Sequence, residues 1–509
     1  MTARISPARL AAFRSLLEME SRPEAQAGDL LRSPEVSALP PKDRNLTTAL
    51  VMGVLRWRLV LRERMDALVT GRSGGAAGSL KKAGPASSPS ASRPKMEAPV
   101  RIALELGAVQ LLLLSRIPPH AAIFESVELA KFAGHPRAAG LVNAVLRKLA
   151  ATPRLDPASF PANTPRELAA QSSHPAWLVE RWASAFGLAA ARNICSYDQE
   201  PPPATIRLIG EGALEAVHAE GVETAPASFV AAARRILKGD VTATQAYRRG
   251  LIRIQDEGSQ LIAEAAGSGL TSRSGPNEVS SILDCCAAPG GKTAILAERY
   301  PGARIEACEV SPARLAAMRE RLAAPGIVYH RVDAQRLTFN RRFDLVLCDA
   351  PCSGTGCLGR NPEIRRHLTG SGLRRQHKRQ VNILRSALQA LAPGGRLIYS
   401  TCSLEAEENE EVLAAALAER TECALLPWRP RLQRLEAAGI LHAGSAERLF
   451  PSGSRSEYLR ILPGQYGCDG YFAALLFRRR SGDGSTGAAP VVGGCSGSLE
   501  TGLRPPSMS

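Results

Sequence analysis

Apolar side chains in the first part of the chain recur at helical spacing: Leu10, Phe13, Leu16 and Leu17, then a long run from Leu46 to Leu61. Residues 3–69 are therefore predicted to be helical. The pattern breaks over 71–98, where Gly, Ser and Pro dominate, and this stretch reads as a disordered insertion. Helical periodicity returns from about 101 to 151, so 1–151 is predicted as one all-α domain split by the insertion. No fixed-period repeat is visible. Residues 152–172 read as a linker, and a helix opens at Pro175 with Trp177 and Trp182 expected in the core. Short alternating segments over 201–252, such as 204–208, mix with helices. Residues 173–266 are accordingly expected to form a small α+β domain, followed by a flexible segment over 267–280.

From 281 the pattern changes. Apolar runs of strand length are expected near 281–284, 304–309, 327–332, 343–349 and 395–401, alternating with helices near 292–300, 311–323 and 371–391. A turn at Pro393-Gly394-Gly395 precedes the last of these strands. Such alternation predicts a parallel, doubly wound α/β sheet of Rossmann-like type, with a late strand over 470–478 completing a domain at 281–479. The tail, 480–509, is rich in Gly, Ser and Pro and is expected to be disordered.

Two loops stand out within this frame. Asp349-Ala350-Pro351-Cys352-Ser353-Gly354-Thr355-Gly356 begins where one strand should end, and Ser400-Thr401-Cys402-Ser403 follows another. Both cysteines thus fall at the carboxyl ends of strands, where open α/β sheets bind ligands. A third segment, Asp284-Cys285-Cys286-Ala287-Ala288-Pro289-Gly290-Gly291-Lys292-Thr293, joins the first strand to a helix. Its small residues let a backbone approach a ligand, and the helix amino end favours a carboxylate. Glu309 ends the second strand, where an acid can hold a ribose hydroxyl pair; Asp333 follows the third and could face an adenine amino group. Either acid alone reads equally as a helix cap. Together they point to a nucleoside-type ligand.

Composition narrows the partner. The 509 residues carry a formal net charge of +16, which suggests a polyanion, nucleic acid before an anionic membrane. No apolar run approaches the ~18 residues needed to span a bilayer. Residues 1–20, with three arginines and two glutamates, do not read as a secretory signal. Seven of the eleven cysteines lie between 285 and 402, a pattern expected of reduced cytoplasmic thiols rather than disulfides. A metal site from Cys348, Cys352 and Cys357 lacks a completing His or paired CxxC, and no metal is expected.

A thiol beside a nucleoside pocket can fill space or attack. Carbon 5 of a pyrimidine becomes nucleophilic once a thiolate adds at carbon 6, and can then accept a methyl group from a sulfonium. Asp349 could stabilise such an adduct at the base N3 and amino edge, with Lys292 nearby. The thiol's ordinary pKa of about 8.5 would have to be lowered. Spacing does not decide which cysteine attacks.

The motifs 286–292, 349–356 and 400–403, with Ile254-Gln255-Asp256-Glu257, Arg360-Asn361-Pro362-Glu363-Ile364-Arg365 and Asp469-Gly470-Tyr471-Phe472, resemble the S-adenosylmethionine-dependent RNA (cytosine-5)-methyltransferases. Asp43-Arg44, Val54-Leu55-Arg56-Trp57, 127–131 and 140–147 resemble the bacterial 16S rRNA branch, which has a NusB-like amino-terminal domain. The resemblance implies that Cys402 is the nucleophile and that Cys352 assists product release. It also implies a cofactor pocket formed by Cys286, Ala287, Ala288, Pro289, Gly290, Gly291, Lys292, Glu309, Asp333 and Asp349. Glu309 stands where Asp is common, and Val332 where Gly is usual. The implied substrate is 16S rRNA, naked or in an early assembly intermediate, and a monomer is expected. The same chemistry on tRNA or 23S rRNA, or a non-catalytic RNA-binding or assembly factor, are the alternatives. Arg365, Arg366, Arg374, Arg375, Lys378 and Arg379 form a basic cluster, read either as a solvated face or as phosphate contacts.

Overall fold

The computed structural model describes residues 5–22, 24–70, 96–156, 160–267, 279–451, 453–454 and 457–480. The expected disorder of 71–95 and of the tail from 481, and the flexibility of 268–278, lie outside the described residues.

The amino-terminal helices form where the periodicity predicts: Pro7–Ser21, Pro41–Thr70, Ala98–Leu112, Pro119–Phe132 and Ala139–Ala150. Helix Ala98–Leu112 begins inside the stretch expected to be disordered, with Pro99 in its first turn, where a missing amide hydrogen costs nothing. Phe13, Leu16, Leu50, Val54, Leu61, Ile102 and Leu146 meet in one core. The helices Ala176–Phe186 and Leu188–Gln199 were expected to open the small α+β domain. Instead, they bury Leu178, Val179, Trp182 and Ile194 in that same helical core.

A small antiparallel sheet follows: β1 (Thr205–Leu208), β2 (Glu223–Pro226), β3 (Ala233–Lys238) and β4 (Ile252–Ile254), in the order β2-β3-β1-β4. Ile206, Val217, Val222 and Ile252 give it a core of its own. Helix Glu257–Gly267 then leaves this unit and packs Leu261, Ile262 and Ala265 against the main sheet.

The main sheet comprises β5 (Ser281–Asp284), β6 (Arg304–Glu309), β7 (Ile327–Arg331), β8 (Phe343–Asp349), β9 (Leu391–Thr401), β10 (Cys423–Leu426), β11 (Tyr458–Ile461) and β12 (Tyr471–Arg478). Its order is β10-β12-β9-β8-β5-β6-β7, with β11 also beside β12. Strands β5 to β9 are mutually parallel, as expected. The expectation of a wholly parallel sheet fails at the far edge, where β12 runs antiparallel to β9, β10 and β11. The connection from β11 over 462–470 is too short for a parallel crossover, so the chain returns as a hairpin-like pair. The triplet Pro393-Gly394-Gly395 lies inside β9 rather than before it. Pairing with β8 skips from Leu391 to Arg396, leaving a bulge. The sheet reverses its order of winding at β5, flanked by β6 and β8, which places a crevice at the carboxyl ends of these strands.

The segment just past the first thiol loop is fastened to the helical core. Arg365, 8% exposed, donates from Nη1 to the backbone oxygens of Arg56 (3.0 Å) and Ser173 (3.4 Å). Its Nη2 donates to the oxygen of Asp198 (3.4 Å), whose fully buried carboxylate lies 3.9 Å away. Arg366 reaches Glu20 at 3.3 Å and the oxygen of Met19. Arg56 donates to the oxygen of Gly359 (2.8 Å), and Glu363 accepts from the Ala27 amide (3.0 Å). Arg365 and Arg366 are thus struts between domains, which removes them from the candidate phosphate contacts. Breaking a buried charge pair by removing one partner costs about 3–5 kcal/mol. Arg365→Ala is expected to lower the denaturant midpoint accordingly, and Arg365→Lys to recover little, because one ammonium cannot serve the same fan of carbonyls.

Candidate active site

The pairing of β8 with β9 continues past the strands into both thiol loops. Asp349 stands opposite Ser400, and the Ala350 amide donates to the Ser400 oxygen at 2.8 Å. This register carries Cys352 and Cys402 to the same point, with their Sγ atoms 3.3 Å apart. Behind them, the Gly356 amide donates to the Cys402 oxygen (2.9 Å), and the Gly470 amide to the Gly356 oxygen (2.8 Å). A Cβ on Gly356 would lie 2.5 Å from the Gly470 oxygen and 2.9 Å from the Cys402 oxygen, both backbone atoms that cannot swing aside. Only glycine permits this crossing of three chain segments.

Two further side chains fix the Cys352 loop. Glu408 accepts from the Ser353 amide (2.8 Å) and from the Ser353 hydroxyl, while Gln380 donates to Glu408 (3.1 Å) and to the Pro351 oxygen (2.9 Å). Arg360 closes the rear of the site, donating to Asp469 (2.7 Å) and Asp256 (2.9 Å). The motifs around residues 256, 360 and 469 therefore meet as one buried support.

Electrostatics separate the two thiols. Thiol hydrogen bonds from Cys352 and Cys357 hold Cys402 well below its ordinary pKa; Lys292 adds to this, against burial and Asp349. Cys352 is pushed up by its bond to Cys402, by burial and by the charges of Cys402 and Glu408. Cys357, read from sequence only as a weak metal ligand, is pushed up in the same way. The arrangement favours a thiolate on Cys402 over one on either neighbour, with the neighbours as donors. Lys292 Nζ lies 2.6 Å from Asp349 Oδ2. Burial alone would lower the lysine, but the Asp349 charge and hydrogen bond outweigh it and the ammonium is held. The Ser400 hydroxyl donates to the other Asp349 oxygen at 2.6 Å.

The thiols open onto a cleft of about 970 Å³. Of the expected site residues, Cys286, Ala288, Pro289, Glu309, Asp333, Asp349, Cys352 and Cys402 line it; Ala287, Gly290, Gly291 and Lys292 do not. Ala287 instead ties the turn to β6 through its amide and the Cys308 oxygen (2.8 Å). Gly290 has φ +99°, and a Cβ there would lie 3.0 Å from Met318, so the turn's own shape requires glycine. Glu309 accepts from the Ser311 amide (2.8 Å) and pairs with Arg314 (3.2 Å), retaining lone pairs on both oxygens. Asp333 caps the short helix Ala334–Arg336 and also faces the cleft. Sequence reasoning passed over Asp284, fully buried beneath the turn, where it accepts from Thr293 (2.7 Å) and burial pushes its pKa up to about 7. Its position at the end of β5 was the available signal.

Three comparisons with known proteins bear on this site. Residues 274–477 match the family model described as 16S rRNA methyltransferase RsmB/F, and 86–151 match the NusB family. A Bacillus subtilis (strain 168) protein named "Probable ribosomal RNA small subunit methyltransferase B" is 32% identical, over 92% of this chain and 98% of that protein. The chain belongs to the RsmB/F methyltransferase family. A Xanthomonas campestris pv. campestris ribosomal RNA small subunit methyltransferase B is 30% identical over 89% of this chain and 93% of its own length. The crystal structure of PH0851 superposes with a TM-score of 0.70 at 21% identity, over 93% of this chain and 99% of that one, which shows the fold is shared.

A member of this family uses S-adenosylmethionine, and the donor set fits it. Glu309 offers acceptors for ribose hydroxyls, Asp333 for an adenine amino group, and Val310, Ala334 and Ile383 an apolar wall for a flat ring. When bound, the cofactor supplies an electrophilic methyl group. Among the described residues, no three His, Cys, Asp or Glu side chains are grouped to hold a metal ion, and no helix is long and apolar enough to cross a membrane.

Two expectations follow from the geometry. Lys292→Met removes the cation near Cys402 and leaves Asp349 unpaired. Both changes disfavour the thiolate, so the acid limb of Cys402 alkylation by iodoacetamide should move to higher pH by about one unit or more. Gly356→Ala should lower stability by about 1–3 kcal/mol through overpacking, read from the denaturant midpoint.

Proposed function

We propose that the enzyme methylates carbon 5 of a cytosine in small-subunit rRNA through a covalent bond between Cys402 Sγ and carbon 6 of the base. The observation that carries this reading is the meeting of the two thiols on the cleft, Sγ to Sγ 3.3 Å, with surroundings that lower Cys402 and raise Cys352. Cys402, held as thiolate, adds to carbon 6, and the electron pair displaced toward the ring leaves carbon 5 nucleophilic. In this reading Asp349, on the cleft wall and held by Lys292 and Ser400, accepts from the amino group of the base, and from N3 once addition at carbon 6 makes N3 basic enough to take up a proton. After methyl transfer, the carbon 5 proton must leave before the Cys402–carbon 6 bond can break.

The environment of Cys352 supplies a reason for its part in release. Two of the causes that raise its pKa come from Cys402: the hydrogen bond and the thiolate charge. Both vanish once Cys402 becomes a thioether. The adduct thus lowers the pKa of Cys352, against the burial and the Glu408 charge that remain, and brings this thiol nearer to drawing off the carbon 5 proton, directly or through water. Elimination returns the electron pair to the ring and the thiolate to Cys402. A non-catalytic assembly factor would have no use for two thiols so divided. The family and the relatives' names favour small-subunit rRNA over tRNA or 23S rRNA.

Release of tritium from carbon-5-labelled cytidine in naked 16S rRNA tests the reading. Wild type should release tritium when S-adenosylmethionine is present. Cys402→Ala should release none and form no adduct, whereas Cys352→Ala should accumulate a denaturation-resistant protein–RNA complex. Accumulation with Cys402→Ala instead would reverse the two roles.

A further inference from the structure

The cleft carries more than the thiols and the cofactor residues. Its wall continues along helix Gly370–Ala390, where Arg375, Gln376, Arg379 and Ile383 face it. The helix is docked onto the Cys352 loop by the bond from Gln380 to the Pro351 oxygen (2.9 Å), so its position relative to the thiols is set. Arg375 and Arg379 are four residues apart, one turn of helix, and their Cα atoms are about 6 Å apart along its axis.

The charges on this wall are unevenly satisfied. Every carboxylate lining the cleft has a partner: Glu24 with Arg22, Glu309 with Arg314, Asp349 with Lys292, Asp333 with the Gln335 amide, and Glu363 with the Ala27 amide. Arg314 is also spoken for, by Glu309 and the Ala288 oxygen. Arg375 and Arg379, by contrast, make no hydrogen bond or ion pair among the described residues. The arginines of the neighbouring segment, Arg360, Arg365 and Arg366, all reach acceptors within the protein. Two guanidinium groups left free on the wall of a catalytic cleft are donors awaiting an acceptor from outside the chain.

We propose that Arg375 and Arg379 form the phosphate-binding track for the RNA strand at the target nucleotide, each gripping one of two successive phosphodiesters so that the intervening base turns toward Cys402. This rests on the methyltransferase reading above and adds the strand's course across the site. A cytosine must leave its stack to reach the thiols, and fixing the backbone on both sides of it is how a rigid helix can hold it out. Arg374 and Lys378 lie on the same helix but not on the cleft wall, and they take no part in the track. The basic cluster thus divides three ways: Arg365 and Arg366 are struts, Arg375 and Arg379 grip RNA, and Arg374 and Lys378 belong to the solvated face.

The test compares full-length Arg375→Gln/Arg379→Gln with Arg374→Gln/Lys378→Gln, two variants of equal charge loss on one helix. Binding of naked 16S rRNA is measured directly across a salt series, and tritium release in parallel. For the cleft pair, the proposal expects rRNA affinity about ten-fold weaker at moderate salt and a slope of log K against log salt shallower by about 1.4. It also expects a raised KM for RNA, a largely kept kcat, and unchanged binding of S-adenosylhomocysteine. The outer pair should match wild type. Equal losses for the two pairs would mean a diffuse field and overturn the track, as would wild-type RNA binding by the cleft pair. Loss of S-adenosylhomocysteine binding with RNA binding intact would assign the arginines to the cofactor and equally overturn it. If wild type binds rRNA yet releases no tritium, the cytosine reading fails, while the affinity and salt slope still decide for or against the track.

Discussion

The chemistry of this protein depends on a pairing between two neighbouring parallel strands that does not stop where the strands do. Each strand alone would deliver a cysteine to a flexible loop. Because the Asp349–Ser400 register runs on through the Ala350–Ser400 bond and then through the Gly356 crossing, the two thiols meet within hydrogen-bonding reach. Their meeting creates the asymmetry that a single buried cysteine could not have. A lone desolvated thiol is pushed toward neutrality. Here, two neighbouring thiols and the Lys292 ammonium offset the burial of one sulfur, so the pKa of Cys402 falls where those of Cys352 and Cys357 rise.

Around that pair, the molecule spends its polar groups on rigidity. Glu408 and Gln380 hold one loop, Asp469 and Asp256 hold Arg360 behind it, and Trp182 and Arg181 reach Glu405 on the other loop at 3.1 and 2.8 Å. The helical core is therefore not an appendage. It supplies carbonyls to Arg365, a carboxylate to Arg366 and a guanidinium to Gly359, all on the segment that follows the Cys352 loop.

Much of the site was legible in the sequence, because its signals are local. A strand-length apolar run followed by a loop of small residues shows where the chain turns, and Cys286, Glu309, Asp333, Asp349, Cys352 and Cys402 all lie on the resulting cleft. The direction of β12 was not legible, since its alternation is the same whichever way its neighbours run. Nor were the roles of the arginines: one letter serves for a strut and for a free cation, and only the partners tell Arg365 from Arg375. Gly290 is hard to read for a similar reason. A glycine required by positive φ and one required by ligand approach read alike. Cys357 was weighed only as a metal ligand, because the spacing that sets it beside Cys402 is through space rather than along the chain.

The Gly356 crossing also has a consequence in time. It joins residues 356, 402 and 470, and the nearby Gly359 carbonyl is held by Arg56, 303 positions earlier. A chain emerging from its ribosome can fold the helical core early, and can form β5 to β8 as they appear. It cannot finish the thiol site until β12 has been made. Closing contacts over such separations is the slow part of folding. The reactive sulfur anion is thus assembled among the last features of the molecule, after the domains that shelter it.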